Sequence, residues 1–233
     1  MQFLKKIKQF FFFIATKIIF FDLSNAILHE LYQSFLFIYM KNNKIAIFAS
    51  GSGSNAENII NYFSDSAKNI DVTLILTNNK NAFVIERAIK YSIPYIVFDR
   101  NQFNNTNEIV EKLLAHKIDL VVLAGFLWLV PANLIKAFPN KIINIHPALL
   151  PKHGGKGMYG DKVHKTVIEN KEKESGITIH YVNEEYDKGS IIHQSKCAVG
   201  PSDDAESLAQ KVHKLEYDNF PKVIEELLNA SST

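Results

Sequence analysis

Ile142-Ile143-Asn144-Ile145-His146-Pro147-Ala148-Leu149-Leu150-Pro151-Lys152-His153-Gly154-Gly155-Lys156 is the stretch on which the fold turns. Its apolar head, Ile142–Ile145, reads as a buried strand. Asn144 and His146 stand two apart, so they share one side of that strand and emerge at its tip. Pro147 and Pro151 cannot donate to a ladder and push their predecessors toward extended backbone, so the strand gives way to a loop. In an open parallel sheet that is where ligands bind, and an amide and an imidazole placed there can work on one bound molecule.

Outward from this strand, short apolar runs alternate with helical segments. Upstream, strands are expected at Lys44–Ala49, Val72–Leu76, Pro94–Phe98 and Leu120–Ala124, with helices near Ala56–Phe63, Ala82–Tyr91 and Asn107–His116. Leu120–Ala124 is as apolar as a central parallel strand. Downstream, a helix near Lys162–Asn170 precedes two strands, Ile177–Val182 and Ser190–Lys196, close enough in sequence to pair antiparallel. Ala205–Leu228 reads as one amphipathic helix, broken or bent at Pro221. The pattern predicts an α/β fold: a doubly wound, mostly parallel sheet with antiparallel additions and a long C-terminal helix.

The 233 residues, 47% of them hydrophobic, suffice for one full core. The single Cys197 allows no intramolecular disulfide and no cysteine metal cluster, which points to a reducing compartment, the cytoplasm by default. Residues 1–39 differ from the rest. They hold nine of the 17 Phe residues, including Phe10-Phe11-Phe12-Phe13, behind Lys5, Lys6 and Lys8. This imitates a signal or membrane anchor, but Lys17 and Asp22 interrupt the apolar run, which speaks against a spanning helix. Met40 directly precedes the first strand. The expectation is therefore an N-terminal extension over 1–39 that is not part of the fold, with translation starting at Met40, and a catalytic domain over 40–233. Without those 39 residues the charges balance at 22 basic against 22 acidic of the chain's 26 and 24, which argues against a nucleic-acid partner.

Three constellations carry chemistry. Gly51-Ser52-Gly53-Ser54-Asn55 joins the first strand to the first helix, where backbone amides and the helix start favour an anion; a tight turn capped by Ser54 or Asn55 is the plain alternative. Asn144 and His146 form the second: an amide donates to a developing oxyanion, and an imidazole passes a proton near neutral pH. The third runs from Gly176 to Ile192 as strand, acidic loop, strand, with Asp187 two residues before Gly189; Asp187 could equally cap that turn, and His180 reads as a packed strand residue.

At these residues the chain resembles the 10-formyltetrahydrofolate-using formyltransferases, and among them the phosphoribosylglycinamide formyltransferases of purine synthesis. Asn144-Ile145-His146-Pro147 with Leu149-Leu150-Pro151 matches the signature of the wider group, Gly176–Ile192 its aspartate region, and Gly53-Ser54-Asn55 the glycinamide ribonucleotide branch. The resemblance implies His146 as general acid, Asn144 as oxyanion donor and Asp187 as the group that keeps His146 charged. It implies Gly53, Ser54 and Asn55 for the substrate phosphate, Glu216 for the glycinamide end, and Leu127, Trp128, Leu129 and Val130 with Asn144 for the folate. Many relatives carry a basic residue where this chain has Trp128; backbone groups of Leu127 and Leu129 are then expected to hold the ring. No role follows for His153 or His164. The implied partners are small molecules, 10-formyltetrahydrofolate as cosubstrate and glycinamide ribonucleotide, with no metal, no nucleic acid, no membrane, and a monomer or homodimer. The alternatives are a methionyl-tRNA formyltransferase-like enzyme, a formyltetrahydrofolate deformylase-like enzyme, and a non-catalytic nucleotide-binding module. The last would explain the Gly-Ser turn but not Asn144, His146 and Asp187 together.

Overall fold

In the computed structural model residues 42–64 and 68–230 are described, so the expectation for residues 1–39 lies outside them. Chain order runs β1 (Asn43–Phe48), α1 (Ser54–Phe63), β2 (Ile70–Thr77), α2 (Val84–Lys90), β3 (Tyr95–Val97), α3 (Arg100–Asn104) and α4 (Glu108–Ala115). It continues through β4 (Leu120–Leu123), α5 (Ala132–Ala137), β5 (Ile142–His146), α6 (Asp161–Glu169), β6 (Glu174–Tyr181), β7 (Ile191–Ala198) and α7 (Ala205–Ala230). One sheet has the order β3-β2-β1-β4-β5-β6-β7. The five strands from β3 to β5 are parallel, and β6 and β7 add on antiparallel. The fold is the expected doubly wound one.

Alternation along the central strands fills two cores, one on each face. Ile45 and Ile47 of β1 with Val122 of β4 and Ile143 and Ile145 of β5 pack under α1 and α7. Ala46, Phe48, Val121, Leu123 and Ile142 face the other way, into an aromatic core with Phe98, Phe103 and Phe126. By the same parity Asn144 and His146 belong to the aromatic face, whereas α1 and α7 cover the opposite one. Phe48 is completely buried, which contributes on the order of 1.5–3 kcal/mol by removal of its ring from water.

After β3 the chain returns to β4, next to β1, so the winding reverses between β1 and β4 and opens a crevice at their carboxyl ends. Ser50 clasps the two loops there. Its N–H donates to Gly125 O at 3.0 Å, and its hydroxyl accepts from Leu127 N at 3.1 Å.

Two local features add to the expectation. Helix α3 is additional: Asp99 accepts from Gln102 N at 2.8 Å while Gln102 accepts from Asp99 N at 2.9 Å, a capping box that starts a helix within an Asn-rich segment. And of the two alternatives at Pro221 the break is excluded, since α7 runs continuously to Ala230. Proline removes the bond to the carbonyl four residues earlier, Tyr217, and Asn58 Nδ2 donates to that carbonyl from α1 instead, at 3.1 Å. Pro221 itself is buried against the core.

Candidate active site

One cleft of about 620 Å³ lies over the crevice and takes in all three constellations, a size suited to small molecules. Its centre is the end of β5. There Asn144 stands opposite His180 of β6, and His146 opposite Thr178. Thr178 Oγ1 donates to Ala148 O at 2.7 Å and accepts from Leu150 N at 2.9 Å, which ties the proline loop to the sheet and fixes the exit of His146.

His146 is 3% exposed, and its Nε2 lies 2.8 Å from His153 O. A carbonyl can only accept, so Nε2 carries a proton, and the exchangeable position is Nδ1, 3.5 Å from Asp187 Oδ2. Burial pushes the His146 pKa below that of an ordinary imidazole; the Asp187 carboxylate works in the opposite direction without overcoming it. The expectation that Asp187 keeps His146 charged is corrected to that extent: in the free protein the carboxylate moderates a downward shift, because a nearly closed site costs the imidazolium more than one carboxylate returns.

Asp187 sits at φ 56°, in the left-handed region that Asp tolerates better than most residues. Its Oδ2 accepts from Gly155 N at 2.8 Å, and its Oδ1 lies 3.5 Å from His180 Nε2. Burial opposes its ionisation, yet His180, His146 and the Gly155 amide together hold its pKa below the ordinary carboxylate value. His180 donates from Nδ1 to Tyr181 O at 2.8 Å, and its Nε2 lies 3.1 Å from Asn144 Nδ2 as well as 3.5 Å from Asp187 Oδ1, so this nitrogen accepts from the amide when it carries no proton and donates to the carboxylate when it does. An amide nitrogen has two donors, so one remains for a ligand. His180 thus supports the site rather than only packing in its strand, a role visible only from the register that sets it against Asn144.

On the α1 side the cleft is polar. Gly53, at φ 69°, is the residue preceding α1, and no side chain caps the helix. The capped-turn alternative is therefore overturned, and the amides at the helix start are left to a ligand. A Cβ on Gly53 would stand 2.5 Å from Val84 Cγ2. Asn55, read as a possible cap, instead donates from Nδ2 to Glu216 Oε2 at 2.9 Å. Glu216, 5% exposed on α7, also accepts from His213 Nδ1 at 3.1 Å, and this contact raises the His213 pKa. Two buried atoms that line this part of the cleft have no partner: Asn55 Oδ1 and Nδ1 of His164. Arg87 braces the turn by donating from Nε to Ser52 O at 2.7 Å while pairing with Glu57. Isolated His164, His213 and Arg87 carry no motif, so no sequence pattern assigns them a place in the site.

On the β4 side the wall is apolar. Leu127 is 42% and Leu129 39% exposed, and Trp128 lies half-buried between them. Of the Leu127 backbone groups expected to hold a ring, the N–H is already used by Ser50 Oγ, because the clasp of the two loops needs it. Val130 is buried and acts as support from behind.

Residues 43–224 match the Formyl transferase family. The chain is 44% identical over 189 residues to the chloroplastic phosphoribosylglycinamide formyltransferase of Arabidopsis thaliana, covering 79% of this chain and 65% of that one. It is 37% identical over 193 residues to the phosphoribosylglycinamide formyltransferase of Bacillus subtilis (strain 168), covering 81% and 96%. The crystal structure of phosphoribosylglycinamide formyltransferase from Bacillus Halodurans superposes with a TM-score of 0.72 at 36% identity, over 80% of this chain and 95% of that one. Of the plant relatives from Arabidopsis thaliana and Vigna unguiculata the chain spans 65% and 62% of the length.

Proposed function

The chain belongs to the formyl transferase family, and from that membership we propose that it transfers the formyl group of 10-formyltetrahydrofolate to the amine of glycinamide ribonucleotide. The products are formylglycinamide ribonucleotide and tetrahydrofolate, as a step of purine synthesis. The observation that carries this reading is the meeting, in one cleft, of an uncapped helix start, an apolar wall, and an Asn, His and Asp set between them.

The ribonucleotide lies on the polar side. Its phosphate takes the amides of Gly53, Ser54 and Asn55, where the helix dipole favours a dianion. Glu216, oriented by Asn55 and His213, receives the glycinamide end. The pterin lies along Leu127, Trp128 and Leu129, and Asn144 contacts it at the reacting end. The amine attacks the formyl carbon, a C–N bond forms, and the bond from that carbon to the folate nitrogen breaks. Negative charge developing on the formyl oxygen is met by the free N–H of Asn144 and by His146. The departing folate nitrogen gains a proton from His146 Nδ1, and the proton that the attacking nitrogen loses returns to that ring. Asp187 steadies the charged ring against the burial that disfavours it. The site uses direct transfer, with no metal and no covalent enzyme intermediate in the scheme.

In this reading residues 40–233 are the catalytic domain, and the protein works in the cytoplasm on small molecules, as a monomer or homodimer. No helix among the described residues is long and apolar enough to cross a membrane. The test is an absorbance assay for folate product with the purified chain, 10-formyltetrahydrofolate and glycinamide ribonucleotide. Turnover that requires both substrates is expected; formate release without the ribonucleotide would replace this reading with a hydrolase.

A further inference from the structure

His153 enters the scheme above only through its backbone, whose carbonyl oxygen lies 2.8 Å from His146 Nε2. Because that oxygen can only accept, Nε2 keeps its proton, and Nδ1 becomes the nitrogen that gives one up and takes it back. Whatever holds this carbonyl in place therefore helps to aim the acid.

No helix or strand holds it. His153 stands in the loop after Pro151 at φ 55°, a left-handed conformation that residues other than Gly, Asn, Asp and His rarely adopt and that persists only where the surroundings impose it. Before it, the chain is tied to the sheet at Leu150, whose N–H donates to Thr178 Oγ1 and whose carbonyl accepts from Gln194 Nε2 at 3.0 Å. After it, the chain is tied at Gly155, to Asp187. Between these ties both adjacent side chains reach one carboxylate, Glu172. Lys152 Nζ donates to its Oε2 at 3.0 Å, and His153 Nε2 donates to its Oε1 at 3.2 Å.

Glu172 stands on a rigid mount. Helix α6 ends in a Schellman motif: Lys171 has φ 51°, its N–H donates to Ile168 O at 2.9 Å, and the Glu172 N–H donates to Val167 O at 3.2 Å. Val167 is buried in the core on the α1 face of the sheet, so the Glu172 backbone is fixed to the packed body of the molecule. Lys152 and then His153 hold the Glu172 pKa below the ordinary carboxylate value, so it is charged at neutral pH. Of its two partners, the Lys152 side chain is 68% exposed and the His153 side chain 10%. An exposed lysine pair contributes little, whereas a nearly buried imidazole fixes geometry.

We infer that Glu172 is a positioning residue for the formyl transfer: it grips the His153 side chain, thereby sets the His153 carbonyl against His146 Nε2, and so aims Nδ1 at the reacting centre. This rests on the reading of His146 as the proton donor. Neither Glu172 nor His153 lines the cleft, so the effect passes through His146 and not through a ligand.

The test is steady-state kinetics of the full chain and its variants, with kcat/KM followed against pH. E172A should lower kcat about ten- to a hundredfold, as a misplaced catalytic group does, and leave both KM values within about twofold. Loss of the acceptor at Nε2 also removes a contribution that favours the charged ring, so the alkaline fall of kcat/KM should move to lower pH. The other titratable groups that face His146, namely Asp187, His180, Glu216 and His164, are all retained in this variant. E172Q keeps an oxygen that accepts from His153 and should restore most of both losses, and K152A should stay within about twofold of native. On a H146A background E172A should cost nothing further, since its effect passes through the ring already removed. Native turnover in E172A would overturn the inference, as would a loss that E172Q does not relieve. A loss that leaves the pH profile in place, or that persists in full on the H146A background, would make Glu172 a brace for the loop and overturn it too. Should E172A not fold, H153N, which tolerates the same φ but loses the Nε2 contact, carries the same expectations and the same refutations. If H146A itself kept native turnover, the proton-donor reading would fall, and this inference with it.

Discussion

The two sides of the cleft are built from different materials. On the α1 side the chain offers backbone amides, a glycine with positive φ, and short side chains already joined to one another: Asn55 to Glu216, Glu216 to His213. On the β4 side it offers hydrocarbon and rings, Leu127, Trp128 and Leu129 over a bed of phenylalanines. The first kind of surface works through direction, since an amide displaced by an ångström no longer donates, and it tolerates little change. The second works through area and tolerates more. Between them, at the end of β5, sit Asn144 and His146, which belong to neither side and serve both.

The strongest way to break this comparison is at the seam. His146→Ala should lower turnover by roughly 10²–10⁴, as expected for loss of a general acid, and Asn144→Ala by about 10²–10³ for loss of an oxyanion donor. Equilibrium binding of the ribonucleotide and of tetrahydrofolate should persist in both. If affinity for either ligand collapsed instead, the seam would be part of that side.

Next in size is the backbone of the polar side. Gly53→Ala places a Cβ against Val84 at a φ of 69°, and strain of about 1–3 kcal/mol corresponds to roughly five- to a hundredfold weaker binding of glycinamide ribonucleotide. Ser54→Ala, which leaves the amides in place, should stay within about twofold. Calorimetric titration of the two variants separates a backbone site from a side-chain site, and the reverse order would show that the hydroxyl binds.

Asp187→Asn sharpens the seam electrostatically. His146 is active in its charged form, so the pH profile of kcat/KM should fall as pH rises through its pKa, which burial sets below the ordinary imidazole value. Removing the carboxylate removes an upward contribution, so that fall should move to still lower pH. A profile that stays in place in a folded variant assigns Asp187 to the architecture of the Gly155 loop alone.

A smaller effect is expected from the apolar side. Trp128→Ala should raise KM for the formyl-folate about three- to tenfold and leave KM for the ribonucleotide nearly unchanged. Equal rises in both would mean that the two sides are not separable. The smallest effect should come from removal of residues 1–39. The described sheet and the cleft are assembled from residue 42 onward, so a chain beginning at Met40 is expected to retain full turnover.

Much of this was legible in the sequence wherever information is local. The strand ending in Asn144 and His146 announced itself through two prolines, and Gly176–Ile192 through alternation around an acidic turn. The capping box Asp99 to Gln102 was also legible, but it lay in an Asn-rich stretch that reads as loop. At Asn55 the sequence left two readings open: at a helix start its type also allows a cap, yet a buried carboxylate 161 residues away takes its amide. At Pro221 only the break failed among the alternatives read from sequence, since Asn58, from α1, takes the carbonyl that the proline strands.

The sequence by itself determined the α/β alternation, the place of the ligand cleft at the carboxyl ends of the strands, and the residues at the end of β5. Those follow from side-chain period and from the backbone restrictions of proline and glycine, which act within a few residues. Only the tertiary structure decided that His146 exchanges its proton at Nδ1, that burial outweighs Asp187 at that ring, and that Glu216 and His213 complete the polar side. Each of these depends on which hydrogen-bonding capacity and which charge remain unspent after distant segments have packed, a quantity that belongs to the folded contacts and to no stretch of sequence alone.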